Sequence, residues 1–186
     1  MPELSPAQAV VDELVGNAHG NLSRVQELLA QNPDLLNAKS SWDETPIEAA
    51  TQMGNRAIID DLVARGAPVD FFTALVIGRL DHVRRELRAD PKVAMTRGIH
   101  DLPPLYFAAV GGDTAAAELL IAAGSDVNAS AEAGAPIHGA VMRGSAEMVR
   151  LLLRHGADVS ARDYSGRDAP TLARELGRQE IAALVS

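Results

Sequence analysis

Five histidines are the first residues to examine for chemistry: His19, His82, His100, His138 and His155. They are scattered along the chain. No two stand one helical turn apart with a third ligand close by, so the spacing does not predict a zinc site. The chain has no Cys, which removes thiolate ligands, a thiol nucleophile and disulfides together. Gly111-Gly112-Asp113 has the glycines of a phosphate loop. It lacks the preceding strand and the Gly-Lys-Ser/Thr ending that such a loop needs. The adjacent carboxylates Asp43-Glu44 and Asp60-Asp61 come nearest to an acid–base dyad. Neighbours on a helix point apart, so Asp60 and Asp61 cannot share a proton. No nucleophile–base pair, metal spacing or cofactor loop emerges, and the expectation is a protein that is not an enzyme and carries no cofactor or metal.

Charge narrows the partners. The net charge is −8, from 25 acidic and 17 basic residues. A nucleic-acid binder needs a basic face for phosphate contacts, so none is expected. The run Arg84, Arg85, Arg88 is basic within this acidic chain. It reads as a solvated outer helix face, with a phosphate or acidic partner as the alternative. No window reaches the roughly 18 apolar residues of a membrane helix. The start, Met1 to Gln8, lacks a basic segment followed by an apolar run, so no signal peptide and a cytoplasmic location are expected. Hydrophobic residues make up 47% but aromatics only 3%, so the core must be built from Ala, Leu, Val and Ile. That suits thin helix pairs.

The elements that must position any site are clearest from Ala133 to Ala161. Pro136 stands where the first turn of a helix tolerates a missing N–H. Ile137 and Ala140 give that short helix a small apolar face. Gly144 turns the chain. Met148, Val149, Leu152 and Leu153 recur at helical spacing on a longer helix, and Gly156 stands where it needs a left-handed residue to stop. Neither helix can bury its apolar face alone, so the pair needs copies of itself on either side.

The copies are present. With Ala140 as register mark, the equivalent positions are Gly16, Ala50, Ala74, Ala108, Ala140 and Ala173, and a glycine follows four residues later each time: Gly20, Gly54, Gly78, Gly112, Gly144 and Gly177. The steps are 34, 24, 34, 32 and 33 residues. The second copy opens with Thr45-Pro46-Ile47-Glu48, in which Thr45 can cap the helix and Glu48 can reach back. Ser5-Pro6-Ala7-Gln8 offers the first copy a similar start. In the third copy only Ala67 to Asp70 separate Gly66 from Phe71, which accounts for the short step. The first and third copies end in Asn32-Pro33 and Asp90-Pro91.

These residues closely resemble the ankyrin repeat. Pro136, Ile137, His138 and Ala140 stand for its P-L-H-x-A; Leu152, Leu153, Gly156, Ala157, Val159 and Ser160 stand for its L-L-x-x-G-A-x-V-N. Ala135 departs from the usual Thr, so that helix lacks its N-cap hydroxyl. Pro170 is displaced by one in the last copy. The resemblance implies an all-α solenoid of helix-turn-helix repeats with short inter-repeat turns. One ankyrin-repeat domain over 1–186 is expected, with repeats near 5–38, 39–70, 71–97, 98–129, 130–161 and 162–186, the first and last acting as caps. It also implies that His138 is structural, bonding backbone in neighbouring turns.

The resemblance implies a function as well. In such arrays the turn tips and one edge of the short helices line a concave side that binds partners. In this sequence those positions hold Trp42, Glu44, Met53, Ile77, His100, Leu102, Met142, Arg143, Tyr164 and Arg167, together with Val76, Val110, Ala131, Glu132 and Leu176. Trp, Tyr, Met and Arg are what protein interfaces accumulate. The expectation is a protein-interaction module for a protein or peptide partner, bound in this groove. The alternatives are a homodimer that buries the same groove, or an inhibitor that covers a partner enzyme.

Overall fold

Proline sets the start of most of the short helices. Pro6 opens α1 (Pro6–Ala18), Pro46 opens α3 (Pro46–Gln52), Pro104 opens α7 (Pro104–Gly111) and Pro136 opens α9 (Pro136–Arg143). Its fixed φ suits a first turn that has no use for its N–H. α5 (Phe71–Val76) begins instead after Asp70, whose carboxylate accepts the Thr73 N–H at 2.7 Å. α11 (Ala169–Glu175) begins after Asp168, which accepts the Thr171 N–H, so the displaced Pro170 sits at its second position. The second helices of the pairs are α2 (Leu22–Gln31), α4 (Arg56–Ala64), α6 (Leu80–Ala89), α8 (Thr114–Ala122), α10 (Ala146–Arg154) and α12 (Gln179–Leu184). Asn21, Asn55, Asp113 and Ser145 cap four of them. Each stands directly after an in-phase glycine, so the glycine makes the turn and the next residue caps the helix.

This computed structural model describes residues 6–130 and 134–186, and among them the regular elements are these α-helices and three short 3-10 turns. The proposed Ser5 cap and the tip positions Ala131 and Glu132 lie outside the described residues. Contacts divide the chain into two compact units, 1–73 and 74–186. The division falls inside α5, just after the stretch where the sequence skips a projecting turn.

In the first unit α1 packs on α2 and α3, and α4 packs on α3 and α2. Leu14, Val15, Val25, Leu29, Ile58, Ile59 and Leu62 form the core. In the second unit α7 pairs with α8, α9 with α10 and α11 with α12. The first helices α7, α9 and α11 pack in a row, and the second helices α6, α8, α10 and α12 in a second row. The buried register repeats: Ile58, Ile59 and Leu62, then Ala116, Ala117 and Leu120, then Met148, Val149 and Leu152. Leu153, expected inward, is only half-buried, as is Val63 at the same register on α4, and Leu151 is buried instead of Leu153.

Spacing between short helices is set by the absence of side chains. A Cβ on Gly111 would lie 2.8 Å from the carbonyl oxygens of Leu75 and Val76. A Cβ on Gly139 would lie 2.9 Å from Val110 Cγ2 and 3.1 Å from the Tyr106 carbonyl oxygen. This approach corrects three expected surface positions. Val76 and Ile77 are buried because α7 lies directly against the end of α5, and Val110 is buried under α9.

Two substitutions test this packing. Leu152→Ala should lower the unfolding free energy by about 2–5 kcal/mol in urea titration, as deleting a fully buried Leu does. Gly139→Ala adds a single carbon, yet should cost about 1–3 kcal/mol, because α9 must move off α7 to admit it.

Candidate binding surface

Side chains at the turn tips depend on how each tip is fastened. In the first unit the tip between α2 and α3 closes with Ser40 N–H donating to the Glu44 carbonyl at 2.8 Å and Asp43 N–H donating to the Ser40 carbonyl at 3.0 Å. Asp43 takes a left-handed φ of 67°, a conformation that Asp tolerates better than most residues. Ser41 then fastens the tip to α1: its N–H and its hydroxyl each donate to the Asp12 carboxylate at 2.7 Å. Gln8 and Ser41 together hold the Asp12 carboxyl below its usual range.

Glu44 is a correction. Expected at the surface, it is fully buried. The chain turns inward after Asp43, so the Glu44 carboxylate lies beneath the tip, and a buried carboxylate requires donors. The Trp42 indole N–H donates to it at 2.8 Å, and His19 Nε2 stands 3.6 Å from the same oxygen. Glu44 therefore orients Trp42, whose ring is 45% exposed. Met53, at the end of α3, is 41% exposed. The expected capping box is present, with Thr45 N–H donating to Glu48 at 2.8 Å.

Leu102 is a second correction. In the tip before α7, Gly98 N–H donates to the Leu102 carbonyl at 2.9 Å, which folds Leu102 back into the core. His100 is exposed, and it and Asp101 both take left-handed φ, 53° and 58°. Met142 is half-buried: the Tyr106 hydroxyl points at its sulfur from 3.8 Å. Burial, with the charges of Tyr164 and Asp163 nearby, pushes the Tyr106 hydroxyl up to about 12. Arg143 is exposed, and its side chain runs past Gly112, where a Cβ would lie 3.3 Å from its Nε.

The last tip is built on Asp163. Its carboxylate accepts the N–H groups of Ser165 and Arg167 at 2.9 Å each, and the Arg167 guanidinium meets it at 2.8 Å. Arg167 also reaches Glu175 at 3.2 Å and lies 5.8 Å from the centre of the Tyr164 ring. Tyr164 is 76% exposed, with Leu176 exposed at the end of α11. His138 ties this tip to the one before it. Its Nδ1 accepts the Ala135 N–H at 3.0 Å, so the proton sits on Nε2, which donates to the Arg167 carbonyl at 3.2 Å. The ring takes the part of the reaching-back side chain of a capping box, and the His138 backbone N–H, with no hydroxyl to meet it, donates to the Ala135 carbonyl at 2.9 Å.

Of the ten residues expected at the surface, Glu44, Ile77 and Leu102 are buried. Trp42 and Met53 lie in the first unit; His100, Met142, Arg143, Tyr164 and Arg167 keep some exposure in the second. Met95, 57% exposed, was missed, because it ends a 3-10 turn outside the repeat register. Among the described residues no group of three or more His, Asp or Glu side chains could hold a metal ion, and no helix is long and apolar enough to cross a membrane.

The family pattern for ankyrin repeats, in three copies, matches residues 71–163 and again 105–185. The chain belongs to the ankyrin repeat family. Among human proteins it is 32% identical to cyclin-dependent kinase inhibitor 2A over 114 residues, 59% of this chain and 70% of that protein. It is 31% identical to BCL-6 corepressor-like protein 1 over 131 residues, 70% of this chain but only 7% of that protein. Ankyrin repeats are protein–protein interaction modules, and in this ankyrin chain the exposed aromatics stand on the turn tips.

The pH dependence of the Asp163 tip follows from its contacts. Burial alone raises the Asp163 carboxyl, but the Arg167 guanidinium and the two backbone donors outweigh it and hold the carboxyl below its usual range. A carboxyl lowered by folding stabilises the fold above its unfolded-state value, and that contribution drains as pH falls through the lower folded-state value. The unfolding free energy should therefore fall on acidification below about pH 4. Asp163→Asn should be less stable at neutral pH and should show a shallower acid limb in urea titrations.

Proposed function

We propose that this ankyrin-repeat protein is a non-enzymatic interaction module that binds a protein or peptide partner through its turn tips and the adjoining ends of its short helices. The observation that carries the reading is the exposure of Trp42, whose indole N–H is bonded to the buried Glu44 carboxylate, and of Tyr164, whose ring lies 5.8 Å from the Arg167 guanidinium. A large aromatic side chain exposed and already fixed loses little freedom on binding, which is the property of an interface anchor. Met53, Met142, His100, Arg143 and Arg167 complete the contact set. The expected single ankyrin-repeat domain over 1–186 is part of this reading. The partner belongs to the cytoplasm in this reading.

A narrower reading is supported by one relative: the human protein whose name records inhibition of a cyclin-dependent kinase shares 32% identity over 114 residues. Covering a partner enzyme is a special case of the proposed function. A symmetric dimer through the same surface is the competing use of it.

Affinity capture from native cells with mass spectrometry should identify a co-purifying partner. Trp42→Ala and Tyr164→Ala should each weaken its binding by about 2 kcal/mol or more, as truncating an interface anchor does. The far-UV circular dichroism should not change. Unchanged binding by both variants overturns the surface proposed. Light scattering that shows a dimer dissociating in the two variants favours self-association instead.

A further inference from the structure

The outer row of the second unit has a charged face that the proposed interaction surface does not use. α6 buries Val83 and half-buries Leu80 and Leu87. Its opposite face exposes Arg84, Arg85 and Arg88, with Asp81 as the single anion among them. The Arg84–Asp81 pair is long, 3.5 Å, and open to water, so it holds little energy. Among the described residues no ion pair joins Arg79, Arg85 or Arg88 to a carboxylate; Arg97, Arg143, Arg154, Arg174 and Arg178 lack one too, but only at α6 do three such arginines stand within ten residues beside a fourth, Arg84. The neighbouring α8 exposes Ala115, Glu118 and Ala122, so it does not share the basic character of α6.

The arginines also border a recess. An open recess of about 660 Å³ is lined by Gly78, Arg79, Leu80, Asp81, His82, Arg84 and Arg85. That volume is in the range of ordinary ligand clefts, but its walls are polar and charged, not apolar. None of these guanidinium groups packs the fold together. Nothing in the helix's own packing requires three arginines there on a chain of net charge −8.

We propose that the arginine face of α6 is a docking site for a carboxylate-rich segment of a partner protein. From Arg79 to Arg88 the backbone rises about 14 Å, the reach of about four residues of extended peptide. Cations spread over that distance match a run of Asp or Glu side chains better than one compact anion. Guanidinium forks pair with carboxylates through two parallel hydrogen bonds, which gives the match geometry as well as charge. A nucleic acid fits less well: the basic face is one helix wide, and phosphate contacts along a strand call for a broader basic surface. The site stands apart from the turn tips, so it does not depend on the function proposed above.

The test is fluorescence anisotropy of a labelled oligoglutamate peptide with the full chain at about 0.15 M salt. Saturable binding that weakens as salt rises is expected. The triple variant R84Q/R85Q/R88Q should bind about tenfold or more weakly. Arg150→Gln, on another outer helix, should bind like the wild type, and so should Trp42→Ala. If the triple variant melts early, the single variants Arg84→Gln and Arg85→Gln replace it, each with about a threefold loss. The proposal is overturned if oligoglutamate does not saturate, or if Arg150→Gln loses as much as the triple variant. It is equally overturned if a phosphoserine peptide or a single-stranded oligonucleotide of equal charge binds more tightly.

Discussion

Short helices can meet in a row only where almost no side chain stands between them. In the second unit this condition is met at Gly111 against α5 and at Gly139 against Val110 and the Tyr106 backbone. Ala108, Ala109, Ala140 and Ala173 extend the same small-residue surface. Close backbone approach lets a helix pair with few large residues bury what it has, because contact area grows as the elements close up. Aromatics are scarce in this chain, so the close approach takes the place of bulk in the core. It also decides which residues are left outside: whatever stands at the edge of a short helix is covered by the next one, and what stands on the tip is not.

The tips face a different requirement. They expose backbone, so their polar groups need internal partners where water is excluded. Two solutions appear, one in each unit. Ser40 and Glu44 pair across the first tip while Asp12 holds Ser41 from outside. Asp163 gathers two N–H groups and a guanidinium in the last one. His138 serves its own tip and the next with one ring, which fixes its tautomer and leaves it neither proton nor lone pair for chemistry. A buried histidine with both nitrogens engaged is a structural part, and its position in the repeat says the same as its hydrogen bonds.

Helical periodicity and the in-phase glycines made most of the fold legible in the sequence. The second helix of the first repeat stops at Gln31, just before Asn32-Pro33 where the sequence ends that copy, and Thr45 and Glu48 form the box their spacing predicts. Exposure on the short helices was less legible. A heptad-like pattern says which face of one helix is apolar, but not how closely its neighbour approaches. Val76, Ile77 and Val110 are buried by residues far along the chain whose distance is set by glycines. Glu44 failed for a related reason. A carboxylate on a turn tip is ordinarily a solvated one, and nothing local says that His19 and the Trp42 indole stand ready to receive it.

That misreading leads to the physical point of the surface. Each unit carries a large aromatic ring above a carboxylate that is itself held: Trp42 over Glu44, and Tyr164 beside the Arg167–Asp163 pair. A ring free to rotate pays its rotamer entropy when a partner immobilises it. A ring already fastened through its polar edge or a cation at its face has lost that freedom on folding. The stability of the tips and the readiness of their aromatics are then linked. On the proposed surface Glu44 and Asp163 act on a partner only through the side chains they hold, which is how residues with little or no exposure of their own enter it.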